Sequence, residues 1–190
     1  MFTGSVVTGE SPIVLSAVCE PRVRMAIWNR PNPWSVAAVF PPSLGFTCGG
    51  HWIDVDEPAP FWLMEDIQRL GEIFSMVSGE SGWRARTETV TDRACPRLHE
   101  DATPLRMITT YLGAGTEWLF ASEAGDDLDV RKTSTRTRLR TVAPGAVAMI
   151  KGSEAGRSED GALVLHRSPA ASRARPRHVC VMDRPARAET

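Results

Sequence analysis

The sequence has little net charge, no long apolar run and no basic start. Its 22 basic and 23 acidic side chains give a formal net charge of −1. This balance gives no reason to expect a nucleic acid or an anionic membrane as partner. The opening MFTGSVVTGESP lacks the charged and apolar regions of a signal peptide, and no later stretch is long enough to span a bilayer. We therefore expect a cytoplasmic protein.

Cysteine is also scarce, with four residues and no Cys-x-x-Cys pair. Cys19, Cys48, Cys95 and Cys180 lie far apart, which predicts free thiols, most of them buried, rather than a disulfide framework. The segment CGGH, which ends at His51, has a spacing that two metal ligands could use. Two glycines more often mark a turn, however, and nothing downstream repeats the pattern.

The length and composition suit a single folded unit. The chain has 190 residues, of which 42% are apolar and 24% charged, as in soluble globular proteins. Residues 1–60 are rich in proline and tryptophan and read as short extended pieces. We predict one domain over residues 1–190, with an N-terminal wrap and a helix in residues 1–84 and a β core in residues 85–184.

Residues 61–78, FWLMEDIQRLGEIFSMVS, have the clearest helical pattern. Apolar residues recur at spacings of four and three, which forms one stripe. Acidic side chains near the start suit the positive end of a helix, and Gly79 suits its end. We predict that this helix packs its stripe on the outer face of the β half. The stripe consists of Leu63, Ile67, Leu70, Phe74 and Val77.

After Gly79 the apolar pattern changes to a period of two. Short segments rich in β-branched and apolar residues are separated by Gly, Pro or charged turns, which favours an antiparallel sandwich or barrel. The fold class is therefore α+β and mainly β. Residues 122–140 carry acidic and then basic side chains, which indicates a solvated loop or, alternatively, a mobile flap over a site. The predicted strands are RARTETVT, LRMITTY, TEWLF, TRLRTV, AVAMIK, ALVLH and RHVCVMD.

One group of residues could carry chemistry. His99 and Asp101 in CPRLHED are two apart, so on a strand both side chains would face the same side. His166 ends the apolar run ALVL, and a jelly roll can bring such a late strand beside an early one. Two imidazoles and a carboxylate would leave three cis positions of a metal open, which suits non-haem Fe(II).

Residues downstream fit a carboxylate pocket beside this metal. Arg177 opens the segment RHVCVMD, and its planar guanidinium could hold a carboxylate with two hydrogen bonds. Tyr111 and Thr109, two apart on one segment, could complete the pocket. Ser168, next to His166, could bond to a co-substrate oxygen or to the backbone. Arg175 is an alternative to Arg177, because it is two positions earlier and would share its face.

The order His-x-Asp, distal His and then Arg resembles the Fe(II)/2-oxoglutarate-dependent dioxygenases, which have a cupin-like double-stranded β-helix. More closely, CPRLHEDATPLRMITTYLGAGTEWL, GAVAMIKG, LHRSP and RHVCVMD resemble a bacterial family known as domain of unknown function 1826. The chain departs from the expected pattern at Glu100, inside His-x-Asp, and at His178 and Cys180. The positions that match this family are Cys95, His99, Asp101, Arg106, Tyr111, Gly113, Gly115, Thr116, Glu117, Trp118, His166, Arg167, Ser168, Pro169, Arg177 and Asp183.

The resemblance implies a double-stranded β-helix (a jelly roll) and an oxygenase that uses Fe(II), 2-oxoglutarate and O₂ on a small molecule or peptide. Three roles stay open for Cys95: a core thiol, which we favour, a fourth metal ligand or a redox-sensitive group. Two other functions also remain. One is a non-catalytic cupin-like protein that binds Zn(II), and the other is a cupin oxygenase that does not use 2-oxoglutarate. A closed zinc site has no need of Arg177, so this residue discriminates between the hypotheses.

Overall fold

The computed structural model describes residues 4–32, 43–47, 52–53, 60–92, 94–124, 139–156 and 162–185. The CGGH segment and residues 125–138 lie outside the described residues, and the predictions for them stay predictions. No helix in the described part of the chain combines the length and the apolar character needed to cross a membrane.

The described residues form eleven β-strands, one α-helix and three short 3₁₀ helices. The strands predicted after Gly79 are present, TRLRTV only as the two residues Arg140–Thr141, so the mainly β prediction is confirmed. The strands are β1 (Val6–Gly9), β2 (Met25–Trp28), β3 (Ser43–Thr47), β4 (Trp52–Ile53), β5 (Arg84–Val90), β6 (Leu105–Leu112), β7 (Glu117–Phe120), β8 (Arg140–Thr141), β9 (Val147–Lys151), β10 (Val164–Arg167) and β11 (Arg177–Asp183). The helices are α1 (Phe61–Ser78) and the 3₁₀ helices Pro12–Cys19, Ala121–Glu123 and Ser153–Ala155.

The strands form two sheets. The large sheet has the order β1-β2-β9-β6-β11-β5-β3-β4, and the small sheet has the order β10-β7-β8. A bridge between His99 and His166 adds the segment around His99 to the small sheet beside β10. From β5 onward the chain alternates between β5-β11-β6-β9 in one sheet and His99-β10-β7-β8 in the other. This is the strand order of a double-stranded β-helix, and the predicted fold is confirmed.

The large sheet separates two apolar layers. Odd-numbered residues of β6 and even-numbered residues of β11 pack under α1, as Met107 and Met182 do. Even-numbered residues of β6 and odd-numbered residues of β11 lie between the two sheets, as Ile108 and Val179 do with Trp118 of the small sheet. The alternation follows from the pleat of a strand, and it decides which side chains can reach the site.

Helix α1 begins and ends where its sequence predicts. Gly79 takes the left-handed conformation, with φ of 72°, and its N–H donates to the Ser75 carbonyl. Glycine adopts this conformation without a steric penalty, which ends the helix. Asp66 is buried and accepts two hydrogen bonds, of 2.5 and 2.7 Å, from Arg30. This pairing joins the helix to the N-terminal segment, a role that the helix dipole did not predict.

Residues before β5 extend both edges of the large sheet. Strand β1 pairs with β2, which pairs with β9, while β3 and β4 lie beside β5 at the other edge. Several of these pieces were expected to wrap the core, and they also add to its sheet. The division of a single domain at residue 84 stays a prediction.

Candidate metal centre and cavity

Three potential metal ligands meet at the inner side of the small sheet. The His99 Nε2 atom lies 3.7 Å from Asp101 Oδ1, and the His166 Nε2 atom lies 3.1 Å from Asp101 Oδ2. One ligand atom from each residue falls within 4.8 Å of the others. The bridge that pairs residue 99 with residue 166 holds the two imidazoles together, with ring centroids 4.5 Å apart.

The orientation of these groups suits a shared cation. The Nδ1 atom of His99 lies 2.9 Å from the Arg97 carbonyl, so it can donate its proton there and leave Nε2 with a lone pair. The Oδ2 atom of Asp101 is buried and has no hydrogen-bond partner among the described residues, although His166 Nε2 is close. Buried polar atoms are rarely left without a partner. Converging lone pairs of this kind fit a bound divalent ion.

Arg106 joins the centre to the end of β11. Its Nη1 donates to Asp101 Oδ1, and its Nε and Nη2 donate to the two oxygens of Asp183 at 2.8 and 2.9 Å. Burial by itself would raise the pKa of Asp101. The neighbouring His166, His99 and Arg106 side chains outweigh burial and hold that pKa well below its usual range. The Asp101 side chain is thus a carboxylate, the form that binds metals.

The loop that carries Asp101 is held from its other side. Arg24 is almost fully buried and donates to Glu100 Oε1 at 3.2 Å and to the Gly156 carbonyl at 2.8 Å. At Gly152 the chain passes so close that an added Cβ would lie 2.3 Å from the Asp101 carbonyl oxygen. The charged Glu100, which departs from the expected pattern, therefore has a structural partner. Sequence reasoning did not find Arg24, because its partner is distant in the sequence.

A cavity of about 300 Å³ opens beside the metal ligands. Its walls include Ile108 and Val179 from the large sheet, and His99 and His166 from the small sheet. Such a volume lies at the small end of the roughly 300–1,000 Å³ range of ligand sites. The cavity can hold a small organic ligand next to the metal ligands.

Arg177 lies in this cavity and is 4% exposed. It donates to the Ala114 carbonyl at 2.9 Å and, through Nη2, to the hydroxyls of Thr110 and Thr116 at 3.1 and 2.7 Å. No described carboxylate forms an ion pair with it. Burial lowers the pKa of Arg177 to about 10, so the guanidinium is still charged at neutral pH.

The structure distinguishes Arg177 from Arg175. Arg175 is exposed in a turn, where its backbone N–H bonds to the Ser172 carbonyl. His178 and Cys180 occupy the helix-facing positions of β11 and are fully buried, which places Arg177 on the cavity face. Burial lowers the pKa of His178 to about 4, so it is neutral at neutral pH.

The placement predicted for Tyr111 and Thr109 needs correction. Both have odd numbers on β6 and therefore face α1 rather than the cavity. The Tyr111 hydroxyl donates to Asp66 at 2.9 Å, and the Thr109 hydroxyl donates to the Ala146 carbonyl at 2.9 Å. Thr110, the residue between them, faces the inside and accepts a hydrogen bond from Arg177. The sequence TTY shows that Thr109 and Tyr111 share one face of the strand and that Thr110 has the other. It does not show which of the two faces points into the space between the sheets.

Ser168 and Cys95 both line the cavity. The Ser168 backbone N–H donates to the Cys95 carbonyl at 2.9 Å. Cys95 is exposed, so its assignment to the core is wrong, and its Sγ lies 4.0 Å from His99 Nε2. Of the three cysteines that the structure describes, Cys180 is buried and Cys19 and Cys95 are exposed, which corrects the expectation of mostly buried thiols.

Fold and site together define a double-stranded β-helix protein with a three-residue candidate metal centre. The family model for DUF1826, proteins of unknown function, matches residues 53–183, and the chain belongs to this family. No curated protein matches the sequence.

Several solved structures are similar to this chain at low identity. The rice dioxygenase for auxin oxidation is 18% identical, with a TM-score of 0.38, and the match covers 65% of this chain and 46% of the rice chain. The Arabidopsis thaliana dioxygenase for auxin oxidation 1, solved with 2-oxoglutarate, is 17% identical, with a TM-score of 0.35 and coverage of 68% and 52%. A Pseudomonas putida prolyl-4-hydroxylase is 14% identical, with a TM-score of 0.38 and coverage of 73% of each chain. The chain thus spans about half the length of the two plant proteins.

Proposed function

We propose that this protein is an Fe(II)/2-oxoglutarate-dependent oxygenase that oxidises a small organic substrate. The observation that carries the proposal is one cavity with two features. His99 and His166 of the triad His99, Asp101 and His166 line it, and so does the buried Arg177, which forms no ion pair with a described carboxylate. Two imidazoles and a carboxylate suit Fe(II) and leave positions for a co-substrate and O₂.

Each residue has a distinct task in this proposal. His99, Asp101 and His166 would hold the iron, which together with 2-oxoglutarate would supply the oxidising chemistry with O₂. Arg177 would bind the distal carboxylate of 2-oxoglutarate, oriented by the Thr110 and Thr116 hydroxyls. Ser168, which lines the same cavity, would bond to the same co-substrate.

The apolar residues of the cavity and the fixed N–H donors of Arg177 support the binding of an anion at Arg177. Ile108 and Val179 line the cavity and limit the water that competes for Arg177. A guanidinium that is already held by three oxygen atoms loses little freedom when a carboxylate binds.

A second candidate is a non-catalytic zinc protein. Cys95 Sγ lies 4.0 Å from His99 Nε2 but outside the group formed by His99, Asp101 and His166, so its thiolate would complete a tetrahedral site only after moving toward the other two ligands. Such a site would not use Arg177. A cupin oxygenase that binds its substrate directly to iron is a third candidate, and it would also lack a need for the guanidinium.

Anaerobic metal analysis followed by 2-oxoglutarate titration tests the proposal. We expect one divalent ion per chain, lost in His99→Ala or His166→Ala, because two remaining ligands compete poorly with water. Adding 2-oxoglutarate to the Fe(II) protein should produce the weak visible charge-transfer band of a chelated 2-oxo acid.

Arg177→Leu should keep the iron and weaken 2-oxoglutarate binding by about 2–5 kcal/mol, the usual cost of removing one partner of a buried charge pair. Arg177→Lys should recover only part of the affinity, because an ammonium lacks the planar fork. Arg175→Leu is the matched control and should bind 2-oxoglutarate normally. Absence of the band with Fe(II) bound would reject the proposal in favour of the zinc or direct-binding alternatives.

A further inference from the structure

Strand β5 supplies a charged wall to the cavity. Its even-numbered residues face the space between the sheets, and Arg86, Glu88 and Val90 line the cavity. Its odd-numbered residues Ala85 and Thr87 are buried on the opposite face, toward α1. Arg86 and Glu88 are exposed, although β5 lies inside the large sheet between β11 and β3. Both side chains therefore project into the open part of the cavity rather than over a sheet edge.

The charges of Arg86 and Glu88 are not neutralised by described residues. Neither side chain forms an ion pair with any residue in the described part of the chain, and they do not pair with each other. The other cationic side chains of the cavity differ. Arg106 pairs with Asp101 and Asp183, Arg167 pairs with Glu117 at 2.6 Å, and Arg177 is the proposed co-substrate site.

The spacing of the two free charges suits a ligand with two opposite charges. Residues two apart on a strand are separated by roughly 6–7 Å along the backbone and point to the same side. The two long side chains can converge on one small molecule in front of them. Cys95, His99 and His166 line the same cavity, so a ligand held by this wall shares the cavity with two residues of the metal centre.

We propose that the substrate is a small zwitterion of the amino-acid class, with its carboxylate on Arg86 and its ammonium on Glu88. This inference rests on the proposed oxygenase function and names its substrate. A simple anion would meet repulsion from Glu88, and a simple cation would meet repulsion from Arg86. An apolar ligand would remove both charges from water without compensation. The volume of about 300 Å³, shared with a co-substrate, limits the ligand to a small molecule.

Ligand-observed NMR with the common protein amino acids as probes tests this inference. The protein is loaded with diamagnetic Zn(II) and 2-oxoglutarate, and each amino acid is compared with its decarboxylated amine and its deaminated acid. We expect at least one amino acid to bind, and both truncated analogues to bind about tenfold more weakly or not at all.

Charge variants of the wall identify the binding groups. Arg86→Leu and Glu88→Leu should each weaken binding of that amino acid by about tenfold while Zn(II) and 2-oxoglutarate binding are unchanged. The single variant R86E should also weaken amino-acid binding. The double variant R86E/E88R should recover part of that lost affinity, because a zwitterion can bind in the reversed orientation. Arg84→Leu is the matched control, since it lies two residues earlier on the same strand face and outside the cavity; it should leave binding intact.

The outcomes separate this inference from the proposed function. If Fe(II) and 2-oxoglutarate bind but no amino acid does, the inference is overturned and the oxygenase proposal stands. Equal binding of an amino acid and its deaminated acid, or binding that survives both single Leu variants, also overturns it. If 2-oxoglutarate fails to bind but an amino acid binds through Arg86 and Glu88, the assignment of a zwitterionic ligand to β5 stands. The assignment of 2-oxoglutarate as co-substrate then fails.

Discussion

Arg106 holds its charge against two carboxylates at once, Asp101 in the metal centre and Asp183 at the end of β11. Arg106 has two opposite effects on metal binding. The guanidinium repels a cation, but Asp183 largely offsets its charge. Arg106 also fixes the rotation of the Asp101 side chain, because its Nη1 donates to Asp101 Oδ1. We expect orientation to outweigh repulsion, because an adjacent pair of opposite charges has little net field.

Replacing Arg106 tests which effect dominates. Arg106→Gln should weaken metal binding by about 10–100-fold, the usual effect of losing a residue that orients a ligand. Isothermal titration with Zn(II) at fixed pH measures the change. Arg140→Gln is the control, because it removes an ion pair to Glu123 that lies outside the metal centre. Unchanged or tighter metal binding in Arg106→Gln would mean that the repulsion between the guanidinium and the metal outweighs the orientation of Asp101.

At the scale of elements, local patterns were sufficient for α1 and for the strands after Gly79. A helix that buries a stripe and a strand that buries alternate residues each show their period in the sequence. The pattern did not predict which face of β6 points toward the cavity. Alternation states that Thr109 and Tyr111 share a side, but the side depends on what packs against it. Asp66 of α1 accepts a hydrogen bond from the Tyr111 hydroxyl, and this contact joins residues that are distant in the sequence.

Helix α1 should contribute to stability and not to metal binding. Leu70 is fully buried in the layer between the helix and the large sheet, so Leu70→Ala should lower the free energy of unfolding by about 2–5 kcal/mol. Metal affinity per folded molecule should hardly change, since the helix lies on the opposite face from the cavity. Chemical denaturation and metal titration measure the two quantities.

Met76 provides the matched control on the same helix. It is 82% exposed, so Met76→Ala should change the unfolding free energy little. A loss of metal binding in Leu70→Ala without a loss of stability would place the helix in the site instead.

At the scale of the whole molecule, the candidate centre joins parts of the chain that only the fold brings together. His99 and Asp101 precede β6, and His166 lies on β10. Arg24, immediately before β2, supports the loop of His99 and Asp101 through Glu100. The order of the ligands along the sequence was enough to propose the triad. The supports were not predictable, because Arg24 and Glu100 pair across the fold, and the exposure of Cys95 also depends on the fold.

A metal that bridges these parts should stabilise the folded chain. Binding to the native state alone adds RT ln(1 + [L]/Kd), about 2.7 kcal/mol at a free metal concentration one hundred times Kd. Thermal unfolding with and without Zn(II) should therefore show a higher Tm with the metal, and His166→Ala should show no such difference. Leu70→Ala is an informative comparison, since it should begin from a lower Tm and still gain the full increment. An equal increment in wild type and His166→Ala would mean that the ion binds elsewhere in the protein.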